Sequence, residues 1–504
     1  MPDEFQGRMA RGAVWMVLFK FVERGLGLLS TLILVRLLAP SDFGVIAMAT
    51  SFIAMAELLG AMGFDVALIQ QSGATRDHYD TAWTCNLALG LTITLLMLGL
   101  ASPISTFYQR PDLFWVVVAL SFGPLIGAFE NVGVVAFRKE LDFRKEFNYQ
   151  VSRKFLGFLV VVPLAFSLRS YWALVAGILC TKAAGTIISY VIQPFRPRLS
   201  LARARELFHF SRWLLANNVV GFFKERSSDF FIGRVGGADS LGIYNVAFEL
   251  ANLPTTEISA PINRALLPGF AKLQSPADVE AAYVNAVGLL ALLALPLIAC
   301  LYALAPYIVA LILGPKWMAA VPLIEVLAFN GLLLLFQSSM TSVLFARGHP
   351  GLVTTANAIY AALLVAGLMW LVYAERSLGV VGAAWAALCA SLLTTPLFLY
   401  YLWRKLKIAP ILFVKAVRRP TLGAAAVVIV LHLALPEYQT AMSTLVSVLH
   451  LAWAGPLGLA IYASVVMFMW HLAGRPAGAE RLTIEFVRTQ VRHGIGGDSP
   501  ANTT

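Results

Sequence analysis

Lys20, Glu23 and Arg24 sit at i, i+3 and i+4 within the apolar run LFKFVERGLGLLSTLILV, which puts all three on one helical face. A second run, GFFKERSSDFFIG, carries Lys224, Glu225, Arg226 and Asp229, and Lys182 stands alone in ILCTKAAG. Guanidinium forks bind phosphate oxygens in pairs, and an ammonium binds them as a point charge. Lys20, Arg24, Lys182, Lys224 and Arg226 are therefore the candidates for a buried anion site. Glu57, Asp65, Glu130 and Glu249 also interrupt apolar runs and have no obvious basic partner nearby in sequence. A carboxylate held in such surroundings can take up a proton or a metal cation, so these four are the candidates for ion coupling. Glu23 with Lys20, and Asp229 with Arg226, have the spacing of structural ion pairs.

The elements that position these charges are spans. The chain has 504 residues, 59% hydrophobic and 13% charged, where a soluble domain carries about 25% charged residues. About 20 apolar residues cross a bilayer, and about fourteen such segments can be read. They cover roughly 12–35, 43–68, 81–101, 114–136, 149–168, 171–193, 209–233, 241–267, 282–304, 320–345, 352–373, 379–402, 418–435 and 445–471. The expected class is an all-α integral membrane protein, its first helix retained rather than cleaved as a signal. A charge at the bilayer centre costs at least about 2.5–3.5 kcal/mol, so the charges above should face a bundle interior or a wet cavity.

The net charge of +11 would suggest nucleic acid in a soluble protein. Here it is read as the basic excess of cytoplasmic loops, and no nucleic-acid partner is expected. With the N-terminus inside, Arg138, Lys139, Arg144, Lys145, Arg153 and Lys154 fall on the inner side, as do Arg404, Lys405, Lys407, Lys415, Arg418 and Arg419. Only Arg36, Arg110, Arg169, Arg234, Lys316 and Arg376 fall outside. Both termini are thus expected in the cytoplasm. Tyr108, Trp115, Tyr171, Trp172, Trp317, Tyr400 and Tyr401 lie near span ends and are expected as interfacial anchors.

An internal repeat organises the chain. Trp15, Arg36, Gly44 and Ala49 recur as Trp213, Arg234, Gly242 and Ala247, at a constant offset of 198 residues. Six helices per copy is an even number, so both copies enter the membrane in one direction, and the lobes should be related by a parallel pseudo-two-fold axis. The expected divisions are an N-lobe over 1–200, a C-lobe over 201–408, two further helices over 409–473 and a cytoplasmic tail over 474–504. Two like lobes with a site between them is transporter architecture. The four cysteines lie far apart in apolar runs and read as packing residues, with no disulfide, metal site or cofactor implied. The sequence contains no GxxxxGK[ST], HExxH or GxSxG motif, so neither an ATP motor nor a catalytic centre is expected.

Four stretches together resemble the Wzx-type polysaccharide flippases of the multidrug/oligosaccharidyl-lipid/polysaccharide exporter superfamily. They are LVRLLAPSDFGVIAMATSFI with GFDVALIQ, RSSDFFIGRVGGADSLGIYNVAFEL, EISAPINRALLPGFAKLQ, and LAPYIVALILGPKW followed by ARG. The resemblance covers about residues 10–405. It implies a two-lobed V-shaped fold in the bacterial inner membrane and a lipid-linked oligosaccharide, carried on undecaprenyl pyrophosphate, as substrate. It also implies alternating access through a cationic cavity, driven by H+ or Na+. Basic residues on the first helix of each lobe matter in the family, and Lys20, Arg24, Lys224 and Arg226 hold such places here. Membrane lipids, a glycan polymerase and export machinery are the implied partners. A cation-coupled multidrug exporter and a membrane glycan polymerase are the alternatives. The first would favour an acidic, apolar cavity and twelve helices. The second would favour a sizeable polar outer loop.

Overall fold

The computed structural model describes residues 2–58, 64–70, 73–374, 378–436, 438, 444–476, 478–483 and 485, without the side chains at 2–14, 16–17, 65, 70, 207–217, 260–261 and 264–265. Most of the tail after 474 therefore lies outside the described residues. The described chain is helical, with no strand among these residues. Nine of the described helices are long and apolar enough to cross a bilayer, or ten if a bent pair counts as one span. The chain is a multi-pass membrane protein. Its apolar side chains also point outward, as in Phe21 (80% exposed) and Leu433 (81%), which suits a surface bathed in hydrocarbon.

Two compact units divide the chain, Met1–Asn245 and Val246–Thr504. The first contains α1 (Pro2–Leu37), α2 (Pro40–Glu57), α3 (Phe64–Gln70), α4 (Arg76–Tyr108) and α5 (Leu113–Ala128). It continues through α6 (Val135–Lys139), α7 (Phe143–Leu168), α8 (Trp172–Ile192) and the start of α9 (Ala204–Lys272). Within it α4 packs on α5, α7 on α8, α1 on α7, and α5 on α8. The second contains the end of α9, then α10 (Pro276–Ile308), α11 (Val321–Ala346), α12 (Pro350–Leu368), α13 (Val381–Leu406), α14 (Pro410–Ala434) and α15 (Thr444–Leu472). There α10 packs on α14 and α11, and α13 on α11 and α12. The boundary between units falls inside α9, whereas the expected C-lobe starts at residue 201.

Helix starts follow from local chemistry. The Asp42 carboxylate accepts from Ala39 N–H at 2.8 Å, and Pro40 opens α2, where its missing N–H costs nothing. Asp142 caps α7 by accepting from Lys145 N–H at 3.2 Å. The expected single span over 114–136 is instead bent by 62° between α5 and residues 132–139. Asn131 causes the turn. Its side chain accepts from Gly133 N–H at 2.9 Å and donates to the Phe195 carbonyl at 2.6 Å. The expected helices at 209–233 and 241–267 form one helical run interrupted at Gly237, whose φ of 74° and ψ of −175° leave the helix. Glycine adopts that backbone without the steric cost of a Cβ.

That break meets the α1–α2 turn. A Cβ on Gly44 would be driven into the Ala238 carbonyl, and a Cβ on Gly242 into the Pro40 carbonyl. Residues 44 and 242, and residues 40 and 238, are both separated by the repeat offset, so the two close contacts are copies of each other. Small residues let backbones approach this closely.

The expected anchors divide. Trp115 is 64% exposed, but Trp317 and Tyr108 are buried. Tyr108 packs edge-on to Phe52 at 5.8 Å, and its hydroxyl lies 3.5 Å from Ser51 Oγ. Close packing of the helices, which span ends alone do not reveal, took these two rings out of the interface. All four cysteines are free thiols, and Cys85 is buried.

Candidate functional site

Five helices of the first unit line one cavity of about 300 Å³, and three of them and the turn after α5 bring charges to it. Glu57 reaches it from α2, Arg153 from α7 and Lys182 from α8. Glu130 enters from the turn after α5, and Asn86 from α4 adds a neutral amide. Ile93, Leu89 and Pro124 supply apolar wall.

Each side chain is placed by a local feature. The Asp142 cap starts α7 early enough that Arg153 and Lys154 lie well inside the helix. Neighbouring residues on a helix point about 100° apart, and these two diverge. Arg153 Nη1 lies 3.8 Å from Glu130 Oε2, while Lys154 binds Glu23 on α1. Glu130 is fixed by the capped turn, where Asn131 N–H donates to Ser189 Oγ at 2.9 Å. Lys182 lies alongside Gly127, within ordinary van der Waals reach of a Cβ placed there. A Cβ there would stand 3.6 Å from its Cδ and 3.8 Å from its Nζ. Gly127 lies in the last turn of α5, so the ammonium sits by the negative end of that helix.

The remaining anion-site candidates are distributed around the first unit. Lys20 is exposed and donates to Glu23 at 2.7 Å, so Glu23 bridges Lys20 and Lys154. Arg24 and Lys224 are half-buried, on α1 and α9. Arg226 pairs with the buried Asp229 at 3.3 Å, one helical turn away. Of the coupling candidates, Glu57 and Glu130 share the cavity with Lys182. Glu249 is exposed on the part of α9 in the second unit. Asp65 lies on α3, with its side chain outside the described residues.

Sequence reasoning did not pick out Arg153 or Asn86. Arg153 falls within the expected span over 149–168 but reads as one of the inner basic residues at its start, and the signal that fixes it in the helix is the Asp142 cap eleven residues earlier. Asn86 carries no charge and gives no signal. Among the described residues no group of three or more His, Cys, Asp or Glu side chains could hold a metal ion. The cavity can instead hold a small polar group between two cations and two carboxylates.

Comparison with known proteins places this site in context. A family model described as "Polysaccharide biosynthesis protein" matches residues 33–322. The chain is 27% identical to the lipopolysaccharide biosynthesis protein WzxC of Escherichia coli K12, over 67% of this chain and 70% of that one. It is 24% identical to the succinoglycan biosynthesis transport protein ExoT of Rhizobium meliloti, over 75% of this chain and 79% of the relative. Among solved structures it is similar to the lipid II flippase MurJ in an inward closed conformation. The TM-score is 0.71 and the identity 12%, over 91% of this chain and all of that one, so this likeness is one of fold.

Proposed function

The chain belongs to the polysaccharide biosynthesis protein family, and from that premise we propose that it is a flippase that moves a lipid-linked oligosaccharide across the membrane. The observation that carries this reading is the family match over 33–322, which includes every helix that contributes a charge to the cavity. The relatives' names, a lipopolysaccharide biosynthesis protein and a succinoglycan transport protein, support a glycan cargo. We assign the cargo a pyrophosphate linkage, the bacterial inner membrane as location, and cytoplasmic termini.

Alternating access is the mechanism that fits a two-copy chain. The reciprocal crossing of Gly44 over Ala238 and Gly242 over Pro40 supports a pseudo-two-fold relation between the copies, since a two-fold contact pairs i with j and j with i. The full architecture in this reading is fourteen spans, with 1–200 and 201–408 as lobes, 409–473 as an addition and 474–504 as a tail. Lys182 binds the anionic head of the cargo together with Arg153, and Lys20, Arg24, Lys224 and Arg226 extend the basic path along α1 and α9. Glu57 and Glu130 are the foremost coupling groups, with H+ or Na+ as the ion. A glycan polymerase and export machinery would act on the delivered glycan.

The test is made in cells. The protein is depleted and replaced by wild type or by Lys182→Ala, and the lipid-linked oligosaccharide on each leaflet is counted with an impermeant label. Depletion should trap the glycan inside, and only wild type should restore exposure outside. Glycan reaching the outer leaflet without the protein would overturn the reading and favour a drug exporter.

A further inference from the structure

Two formal positive charges and two formal negative charges line the cavity of the first unit: Arg153 and Lys182, Glu57 and Glu130. Tyr149, one turn before Arg153 on α7, also lies near Glu130. Lys154 is turned away to Glu23 on α1, and α4 contributes only the neutral Asn86 and apolar side chains. With both carboxylates ionised, the cavity is electrically balanced. The balance is loosely held. The Arg153–Glu130 contact is long, 3.8 Å at its nearest approach and so at the outer edge of an ion pair. Arg153 Nε is buried without a hydrogen-bond partner, so this guanidinium has donors to spare. Lys182, which passes Gly127 on the cavity wall, is likewise within reach of a guest.

A phosphate group entering here would take the same two cations, because no other positive residue among those described lines the cavity. Glu130 and Glu57 would then be left facing an added anion in a poorly screened space, where like charges repel strongly. The cheapest relief is to bind a proton, since a carboxyl next to an anion and without its arginine holds a proton more readily. We propose that this cavity exchanges partners: a phosphate of the cargo displaces Glu130 from Arg153, and the freed carboxylate takes up a proton as the phosphate binds. The anion site and the coupling site are then one site, and cargo binding is linked to proton uptake by competition for Arg153. This rests on the flippase reading and adds to it the identity of the coupling contact.

The experiment uses the purified full-length protein in lipid nanodiscs, with inorganic pyrophosphate as the probe. Calorimetric titrations in buffers of different ionisation enthalpy count the protons exchanged on binding, and Glu130→Gln provides the reference for protons exchanged by pyrophosphate itself. Wild type should take up about one proton per pyrophosphate more than Glu130→Gln. Glu130→Gln should bind pyrophosphate at least as tightly as wild type, since the competing carboxylate is gone. Arg153→Gln should bind about tenfold more weakly or worse, and Arg153→Lys should recover part of the affinity, provided each variant melts as wild type does. A farnesyl pyrophosphate titration that gives the same proton count extends the result to a lipid-linked head group. Equal proton counts in wild type and Glu130→Gln overturn the proposal, as does weaker binding by Glu130→Gln or uptake of Na+ in place of the proton. Absence of pyrophosphate binding in a protein that still moves glycan in cells overturns this inference and leaves the flippase reading standing.

Discussion

In the second unit, Asn330, Gln337, Ser391, Thr394 and Thr395 are buried between α11 and α13, and none of them can ionise near neutral pH. Gln337 Nε2 donates to the Ser391 carbonyl and to the Thr394 and Thr395 hydroxyls at 3.0–3.1 Å, while Ser391 Oγ donates to Asn330 Oδ1. Apart from the buried Asn330 Nδ2, which has no hydrogen-bond partner, the polar side chains of this seam are paired within it. In the first unit the cavity between α2, α4, α5, α7 and α8 holds four ionisable groups, of which Arg153 and Glu130 come no nearer than 3.8 Å. Neutral hydrogen bonds buried between helices fix their register. Charges kept in a cavity and only loosely paired are poor glue, because desolvation offsets much of their attraction. They are, however, ready to bind. The contrast separates a seam that holds helices together from a site that can exchange partners.

Breaking the charged site should have the largest effect. Charge-assisted hydrogen bonds are worth about 1.5–3 kcal/mol. Arg153→Ala is therefore expected to lower glycan exposure on the outer leaflet by about tenfold or more, with the melting temperature little changed. A large melting shift with normal exposure would make Arg153 part of the glue and erase the contrast. The reverse pattern is expected of the neutral seam. Gln337→Leu strands the amide partners of a buried network at a cost of about 1–3 kcal/mol. It should lower the melting temperature in detergent while leaving exposure per folded molecule intact.

The glycine crossing sharpens the comparison within the first unit. Overpacking typically costs about 1–3 kcal/mol, so Gly44→Ala and Gly242→Ala should each destabilise, and by similar amounts, because the two contacts are copies. Thermal melts of the two single variants that differ greatly would argue against the pseudo-two-fold reading. The smallest effect belongs to a pair outside the spans. Arg110 hydrogen-bonds Asp112 and holds its carboxyl below its ordinary value. That contribution is present above the ordinary carboxylate pKa of about 3.9 and is lost as the pH falls through and below it. Both side chains are about one-third exposed (35% and 34%), so the pair is worth under about 1 kcal/mol. Melts of wild type and Asp112→Asn should differ slightly at neutral pH and converge in acid.

Much of the site was legible in part. Lys182, Glu57 and Glu130 stand out because a charge in an apolar run is costly wherever it lies. Arg153 was hidden at the margin between loop and span, since hydropathy alone does not say which turn of a helix begins the bilayer. The Glu23–Lys20 spacing was readable, but its second partner, Lys154, comes from a distant helix. The bend at Asn131 was missed because 114–136 is apolar throughout, and apolarity does not distinguish a straight span from one turned by a side-chain cap.

The sequence by itself determined that this chain lives in a membrane, roughly where its helices run, and that a pattern at Trp15, Arg36, Gly44 and Ala49 recurs 198 residues later. These follow from transfer energies and residue spacing, which are local properties of the chain. Only the tertiary structure decided that Glu57, Glu130, Arg153 and Lys182 meet in one cavity and that Gly44 and Gly242 cross reciprocally. Such meetings depend on how each helix is rotated and how closely it approaches its neighbours. Packing sets both, through contacts between residues far apart in sequence.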